Sequence, residues 1–379
     1  MATVVKTDEG VMQDAQVIGG QQPPLPGSGR TVEQQMKWLR ENLPDTPEGI
    51  LENFCTSMGQ FSVRYWIIDN SGSMQLTDGH RVVTTTGGNK GLVTSSRWEE
   101  LCDSLVFHST LAANLGAPTE FRLLNESAGV PRGGIVSVGF GGGSDPGRDL
   151  EQMRLLLSTQ PHGRTPLCTR IREVTEAVRQ REQELRSLGK RALVVIASDG
   201  EPSDGDIQAA LRPLAQLPVF VVLRLCTEED QVVEFWNGVD ADLELDLEVL
   251  DDPVGEAQEV NKQNPFLTYG MPLHRLREWG CTNKIFDTID EATLSLSEIN
   301  NVVELIYGAD AKETLPHPDL NFQAFIQALD HIQNHDRNAG HIFNPLTRRY
   351  SDWINTKIIN RTYRRQANAN NKAPCCTIL

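Results

Sequence analysis

From residue 61 onward, short apolar runs alternate with amphipathic stretches, and that alternation constrains the fold more than any other feature of the chain. The runs at 63–68, 120–124, 135–139, 192–197, 219–225 and 284–286 are dominated by Val, Ile, Leu, Ala and Phe and read as strands. The stretches 97–115, 148–158, 167–188, 207–214, 229–237, 273–279 and 291–307 repeat their apolar residues at helical spacing. This order predicts an α/β fold, a doubly wound, mostly parallel sheet flanked by helices. In such sheets ligands bind beyond the carboxyl ends of the strands. The run Tyr65-Trp66-Ile67-Ile68 ends at such a place, in Asp69-Asn70-Ser71-Gly72-Ser73.

Around this core the chain divides by composition. Residues 1–30 are Gly-, Gln- and Pro-rich and read as a disordered arm; 31–60 read as a short helix capped by Thr31, then a linker begun by Pro44 and Pro47. The main domain spans 61–308. Within it, 75–96 read as a β-hairpin insert around Gly87-Gly88-Asn89-Lys90-Gly91, and 240–270 as an elaboration opening with an acidic, half-exposed edge strand. Residues 309–366 form a small helical extension, and 367–379 a flexible tail.

The bulk properties exclude several classes. A net charge of -16 argues against a nucleic-acid partner, which needs a basic surface. No apolar window reaches the length of a membrane span, and residues 1–30 lack the apolar segment of a secretory signal. Cys55, Cys102, Cys168, Cys226 and Cys281 are scattered singly, which suits a reduced cytosolic protein.

Asp69, Ser71 and Ser73 bring one carboxylate and two hydroxyls to one loop, around a Gly that eases a tight turn. Hard oxygens suit Mg2+ or Mn2+ better than Zn2+. Alone the pattern is a polar turn after a strand. Two later segments add to it. His162-Gly163-Arg164-Thr165-Pro166-Leu167 precedes a long helix, and Ser198-Asp199-Gly200 follows a strand. Asp-x-Ser-x-Ser, Gly-x-Thr-Pro-Leu and Ser-Asp-Gly, in that order, resemble the von Willebrand factor A domain family, which includes the integrin I domains. The resemblance covers about 61–308, with 280–308 similar to that family's last strand and closing helix. It implies a metal-ion-dependent adhesion site formed by Asp69, Ser71, Ser73, Thr165 and Asp199.

Such a site need not do chemistry on what it binds. Two carboxylates only neutralise a divalent ion, so the metal stays able to accept an acidic side chain from a protein partner. The chain departs from the family in two places. The 75–96 insert separates Ser73 from the first long helix, and Arg164 stands where a Gly is usual. Arg164 is therefore a candidate gate for ligand access, by recruiting an acidic partner or by pairing with Asp199.

Other chemistry is weaker. His331 and His335 lie four apart but lack the Glu of a zinc protease. An aspartyl-phosphate phosphatase needs a second Asp where Ser71 stands, and a metal-dependent hydrolase would have only Glu201, Asp204 or the hairpin to supply a base. The reading is non-enzymatic. The tail adds a separate signal: Cys376-Thr377-Ile378-Leu379 fits a prenylation box whose final Leu favours geranylgeranylation. Cys375 is a candidate for palmitoylation, and Arg348, Arg349, Lys357, Arg361, Arg364, Arg365 and Lys372 would attract an anionic membrane surface. The expected location is the cytosolic face of a membrane, held peripherally. A soluble intracellular scaffold subunit is the alternative.

Overall fold

The computed structural model describes residues 29–85, 88–141, 145–227, 229–243, 245–335 and 340–370. The prenylation box and nearly all of the N-terminal arm lie outside the described residues.

Helices α1 (Val32–Asn42) and α2 (Glu48–Gln60) lead into β1 (Phe61–Ile68). A 3₁₀ turn over Gly72–Gln75 follows, then β2 (Gly79–Thr84) and β3 (Lys90–Ser95), α3 (Arg97–Leu115), β4 (Thr119–Leu123) and β5 (Ile135–Val138). Next come α4 (Pro146–Leu157), α5 (Leu167–Ser187), β6 (Arg191–Ser198), α6 (Ile207–Leu211), β7 (Val219–Leu225), α7 (Asp230–Asp242) and β8 (Leu247–Leu250). The rest comprises α8 (Pro253–Gln263), α9 (Met271–Glu278), α10 (Phe286–Ile289), α11 (Leu296–Tyr307), α12 (Ala309–Thr314), α13 (Phe322–His335), β9 (His341–Asn344), β10 (Arg349–Asp352) and α14 (Thr356–Asn370).

Six strands form one sheet in the order β5-β4-β1-β6-β7-β8. All neighbours are parallel except the edge pair β4 and β5. Alternate side chains of β1 feed two cores. Trp66 and Ile68 face α2, α3, α9 and α11, while Val63, Tyr65 and Ile67 face α5, α6 and α7. The chain winds from β1 to β4 and β5 on one side, then returns to place β6 on the other. The strand order therefore reverses between β1 and β6, and a crevice opens there at their carboxyl ends.

Several expectations change. Residues 48–60 are a helix rather than a linker, because Ile50, Leu51, Phe54 and Met58 lie on one apolar face. Gly49 lets that helix approach α11, since a Cβ there would lie 2.3 Å from the Gly308 backbone nitrogen. Residues 284–286 form no strand. The amides of Phe286, Asp287 and Thr288 bond to carbonyls three residues back, so the segment is a turn leading into α10. The edge strand expected in the acidic run is present as β8, paired parallel with β7, and it is the sheet's sixth strand. Residues 309–366 also contain the β9–β10 hairpin, and Phe325, Trp353, Ile354 and Ile359 join the same core as Trp66. No described helix is long and apolar enough to cross a membrane.

Candidate metal centre

Asp69 follows β1 and Asp199 follows β6, so neighbouring parallel strands deliver both carboxylates to the crevice where the strand order reverses. Asp69 is fully buried. Its Oδ1 accepts from the Ser71 amide (2.8 Å) and its Oδ2 from the Ser198 hydroxyl (2.6 Å). The Ser71 and Ser73 hydroxyls lie 3.0 Å apart, and Ser73 Oγ donates to Asp199 Oδ1 over 2.9 Å. Four of the five expected residues thus form one continuous hydrogen-bonded chain.

Thr165 arrives on a third loop that is stitched to the other two. The His162 amide donates to the Asn70 carbonyl (2.7 Å) and the Gly72 amide to the Gly163 carbonyl (3.2 Å). The Ser203 amide donates to the Thr165 carbonyl (2.9 Å), which ties this loop to the one after β6. Asn70 and Asn125 hold the other side: Asn70 Nδ2 donates to the Asn125 carbonyl, the Asn125 amide to Asn70 Oδ1, and Asn125 Nδ2 to the Arg164 carbonyl. The demanding glycine is Gly163, not Gly72. Gly163 has φ +80°, and a Cβ there would lie 2.6 Å from Asn125 Oδ1, whereas one on Gly72 meets nothing closer than 3.7 Å.

Electrostatics favour a cation here. Burial, and then the neighbouring Asp199, pushes the Asp69 carboxyl up to about 6. Burial also raises Asp199, although Arg97 and Ser73 oppose it. Two carboxylates with hydroxyls between them are a donor set for a hard divalent ion. Among the described residues no cluster of three or more His, Cys, Asp or Glu side chains is placed to hold a metal, so an ion here would depend on the hydroxyls of Ser71, Ser73 and Thr165.

The guanidinium that pairs with Asp199 is Arg97 rather than Arg164. Arg164 is exposed, and its described bond is made by its carbonyl. Arg97 opens α3 directly after the hairpin, with its side chain buried. Its Nη1 donates to Asp199 Oδ2 (3.0 Å), its Nε and Nη2 to Asp78, and its Nη2 to Glu229. Burial works against its charge, but these three carboxylates hold its pKa above the ordinary value. Sequence reasoning missed Arg97 because its partners lie 19, 102 and 132 positions away.

The hairpin docks on α3. Arg81 pairs with Asp103, and the His80 amide donates to Glu100. The insert reaches the site at its base, where the Leu76 amide donates to the Ser73 carbonyl (2.9 Å) and Asp78 pairs with Arg97. Asp204 is not available as a base. It caps α5, accepting from the amides of Cys168 and Thr169 and from the Thr169 hydroxyl, and these bonds hold its carboxyl below the usual range despite burial.

Comparison with protein-family models gives no match, and comparison with curated proteins gives no similar sequence.

Proposed function

We propose that this chain is a protein-interaction module of the von Willebrand factor A type. It would bind Mg2+ or Mn2+ through Asp69, Ser71, Ser73, Thr165 and Asp199 and present the ion to a carboxylate of a protein partner. One observation carries the reading: two buried carboxylates that follow adjacent parallel strands are joined through the Ser71 amide and hydroxyl and the Ser73 hydroxyl. The bound ion would supply an electrophilic centre for an acidic side chain. The chain's own part is to balance charge with Asp69 and Asp199 and to fix three loops in register through Asn70, Asn125 and Gly163. With Asp204 committed to a helix cap, the proposal includes no catalysis.

The same proposal places the module on the cytosolic face of a membrane, tethered by geranylgeranylation of Cys376 with Cys375 as a second acylation point. Support comes from α14, where Ile359 and Tyr363 are buried while Lys357, Arg361 and Arg364 are exposed. Its apolar face is spent on the protein, and its basic face is free to meet anionic lipid.

A competing reading rests on the bond from Arg97 to Asp199: the guanidinium replaces the ion, and the site is a structural network. Titration with Mn2+ separates the two. Wild type should bind one ion, and Asp69→Ala should lose it with unchanged circular dichroism. Wild type that binds no ion, or Asp69→Ala that binds as tightly, rejects the metal reading. For the tether, Cys376→Ser should move the full chain from the membrane to the soluble fraction of a eukaryotic cell. Wild type that is soluble from the start supports the scaffold alternative instead.

A further inference from the structure

A second site lies at the opposite end of β1. A cavity of about 380 Å3 opens between the start of β1, the α3–β4 turn and the two N-terminal helices. Arg64 lines it and is only 1% exposed. This arginine interrupts an otherwise apolar strand, Phe61–Ile68. Its Nε and Nη2 have no hydrogen-bond partner among the described residues. Its flat face rests on Trp279, 4.1 Å from the ring centroid, which supports the charge but satisfies no N–H. A buried, unsatisfied donor of this kind costs stability unless something accepts from it.

The cavity lining is basic in an acidic protein. The chain has 51 Asp and Glu against 35 Lys and Arg, yet among the described residues the lining includes Arg30, Arg64 and Lys190 and no carboxylate. Among the described residues the other buried arginines, Arg97, Arg181, Arg224, Arg275 and Arg277, each meet a carboxylate from the protein itself. Ser62 adds a hydroxyl where the pairing of β1 with β6 shifts register. Val32, Phe61 and Leu188 supply apolar wall, and the volume exceeds what a bare oxyanion fills.

We propose that this cavity binds a small organic oxyanion, a phosphate monoester or a carboxylate, with its charged head on Arg64 and Lys190 and its apolar body against Val32, Phe61 and Leu188. The planar fork of arginine matches either head in bidentate fashion. Burial lowers the Arg64 guanidinium to about 9, so it remains a cation at neutral pH and awaits a counter-charge. The site lies at the opposite end of β1 from the candidate metal centre and does not depend on it.

The test is calorimetric titration of the full chain in chloride-free buffer with EDTA, using phenyl phosphate, benzoate and inorganic phosphate as probes. Saturable binding of phenyl phosphate or benzoate is expected, with inorganic phosphate at least tenfold weaker; whichever organic probe binds more tightly identifies the head group. Arg64→Gln and Lys190→Met should each weaken that binding at least tenfold. Lys190 lies at the rim, so its variant keeps the test decisive if Arg64→Gln fails to fold. No saturable binding by wild type, or full affinity retained in Lys190→Met, overturns the proposal. Inorganic phosphate binding as tightly as the organic probes would overturn the role assigned to the apolar wall.

Discussion

Arg97 donates to Asp199 over 3.0 Å, and both side chains are buried at the mouth of the crevice between β1 and β6. The same guanidinium holds Asp78 and Glu229, so one cation organises three carboxylates from the hairpin base, the β6 loop and the start of α7. Removing one partner of a buried ion pair leaves the other charge uncompensated, which costs about 3 kcal/mol. Arg97→Met should therefore lower stability in urea by about that amount in EDTA. Saturating Mg2+ should restore more stability to Arg97→Met than to wild type, because the ion then supplies the only cation near Asp199. An equal effect of Mg2+ on both proteins would show that Arg97 and the ion do not share that carboxylate.

Gly163 carries a second forecast. Its φ of +80° and the 2.6 Å approach of a Cβ to Asn125 Oδ1 leave no room for a side chain. Gly163→Ala should cost about 1–3 kcal/mol through backbone strain and displacement of Asn125. Because Gly163 and Asn125 hold the Thr165 loop against Gly72 and Asn70, Mn2+ affinity should also fall. Ala tolerated with full metal affinity would mean that the loop does not position Thr165.

How much of this was legible in the chain follows from the distance over which each signal acts. The strands that carry Asp69 and Asp199 announce themselves through unbroken apolar runs ended by polar turns, so the α/β order and the crevice could be read locally. Helix α2 was hidden because Pro47, Gly49 and Gly59 punctuate it, and Gly49 is required by packing on α11 rather than by a turn. The edge strand is legible in the acidic run, whereas the strand expected at 284–286 is absent. Lys284, Ile285 and Phe286 have strand-like composition, but three residues cannot outweigh a turn, whereas the acidic run around Glu248 pairs because Arg277 neutralises it. Arg97 and Arg64 carry no local mark of their roles, which come from partners distant in the sequence or from the lack of one.

Glu278 anchors a buried ionic cluster behind α3. It accepts from both Ser104 and His108, pairs with Arg275 at 2.8 Å, and lies 3.6 Å from His274. Burial raises the Glu278 carboxyl, but Arg275 and the two histidines outweigh it and hold it well below the usual range. Burial lowers both histidines, His274 most strongly, despite the pull of Glu278. The sign follows. Below about pH 6.5 the unfolded histidines take up protons that the folded ones do not, so stability falls as pH drops, by up to about 1.4 kcal/mol per pH unit per histidine. His274→Leu should flatten the loss of stability between pH 6.5 and 5 relative to wild type. Parallel slopes in urea titrations of the two proteins would show that His274 already takes up a proton in the fold.

Asp251 titrates in the opposite sense. It lies in an acidic cleft with Glu256, Glu259 and Asp290, where burial and then Glu259 and Asp252 push its carboxyl up to about 7. Arg277, which lines that cleft together with Lys284, is engaged by Glu248, Glu256 and Asp290. A carboxyl raised in the folded state holds a proton that the unfolded chain has already released, so folding is favoured at low pH and loses stability as pH rises from about 4 through 7. Asp251→Asn removes this penalty. It should stabilise the protein by about 1–2 kcal/mol at pH 8, after allowance for partial solvation, and change little at pH 4. Urea titrations of both proteins at the two pH values measure it. Equal stability at pH 8 would mean that the Asp251 charge is already compensated within the cleft.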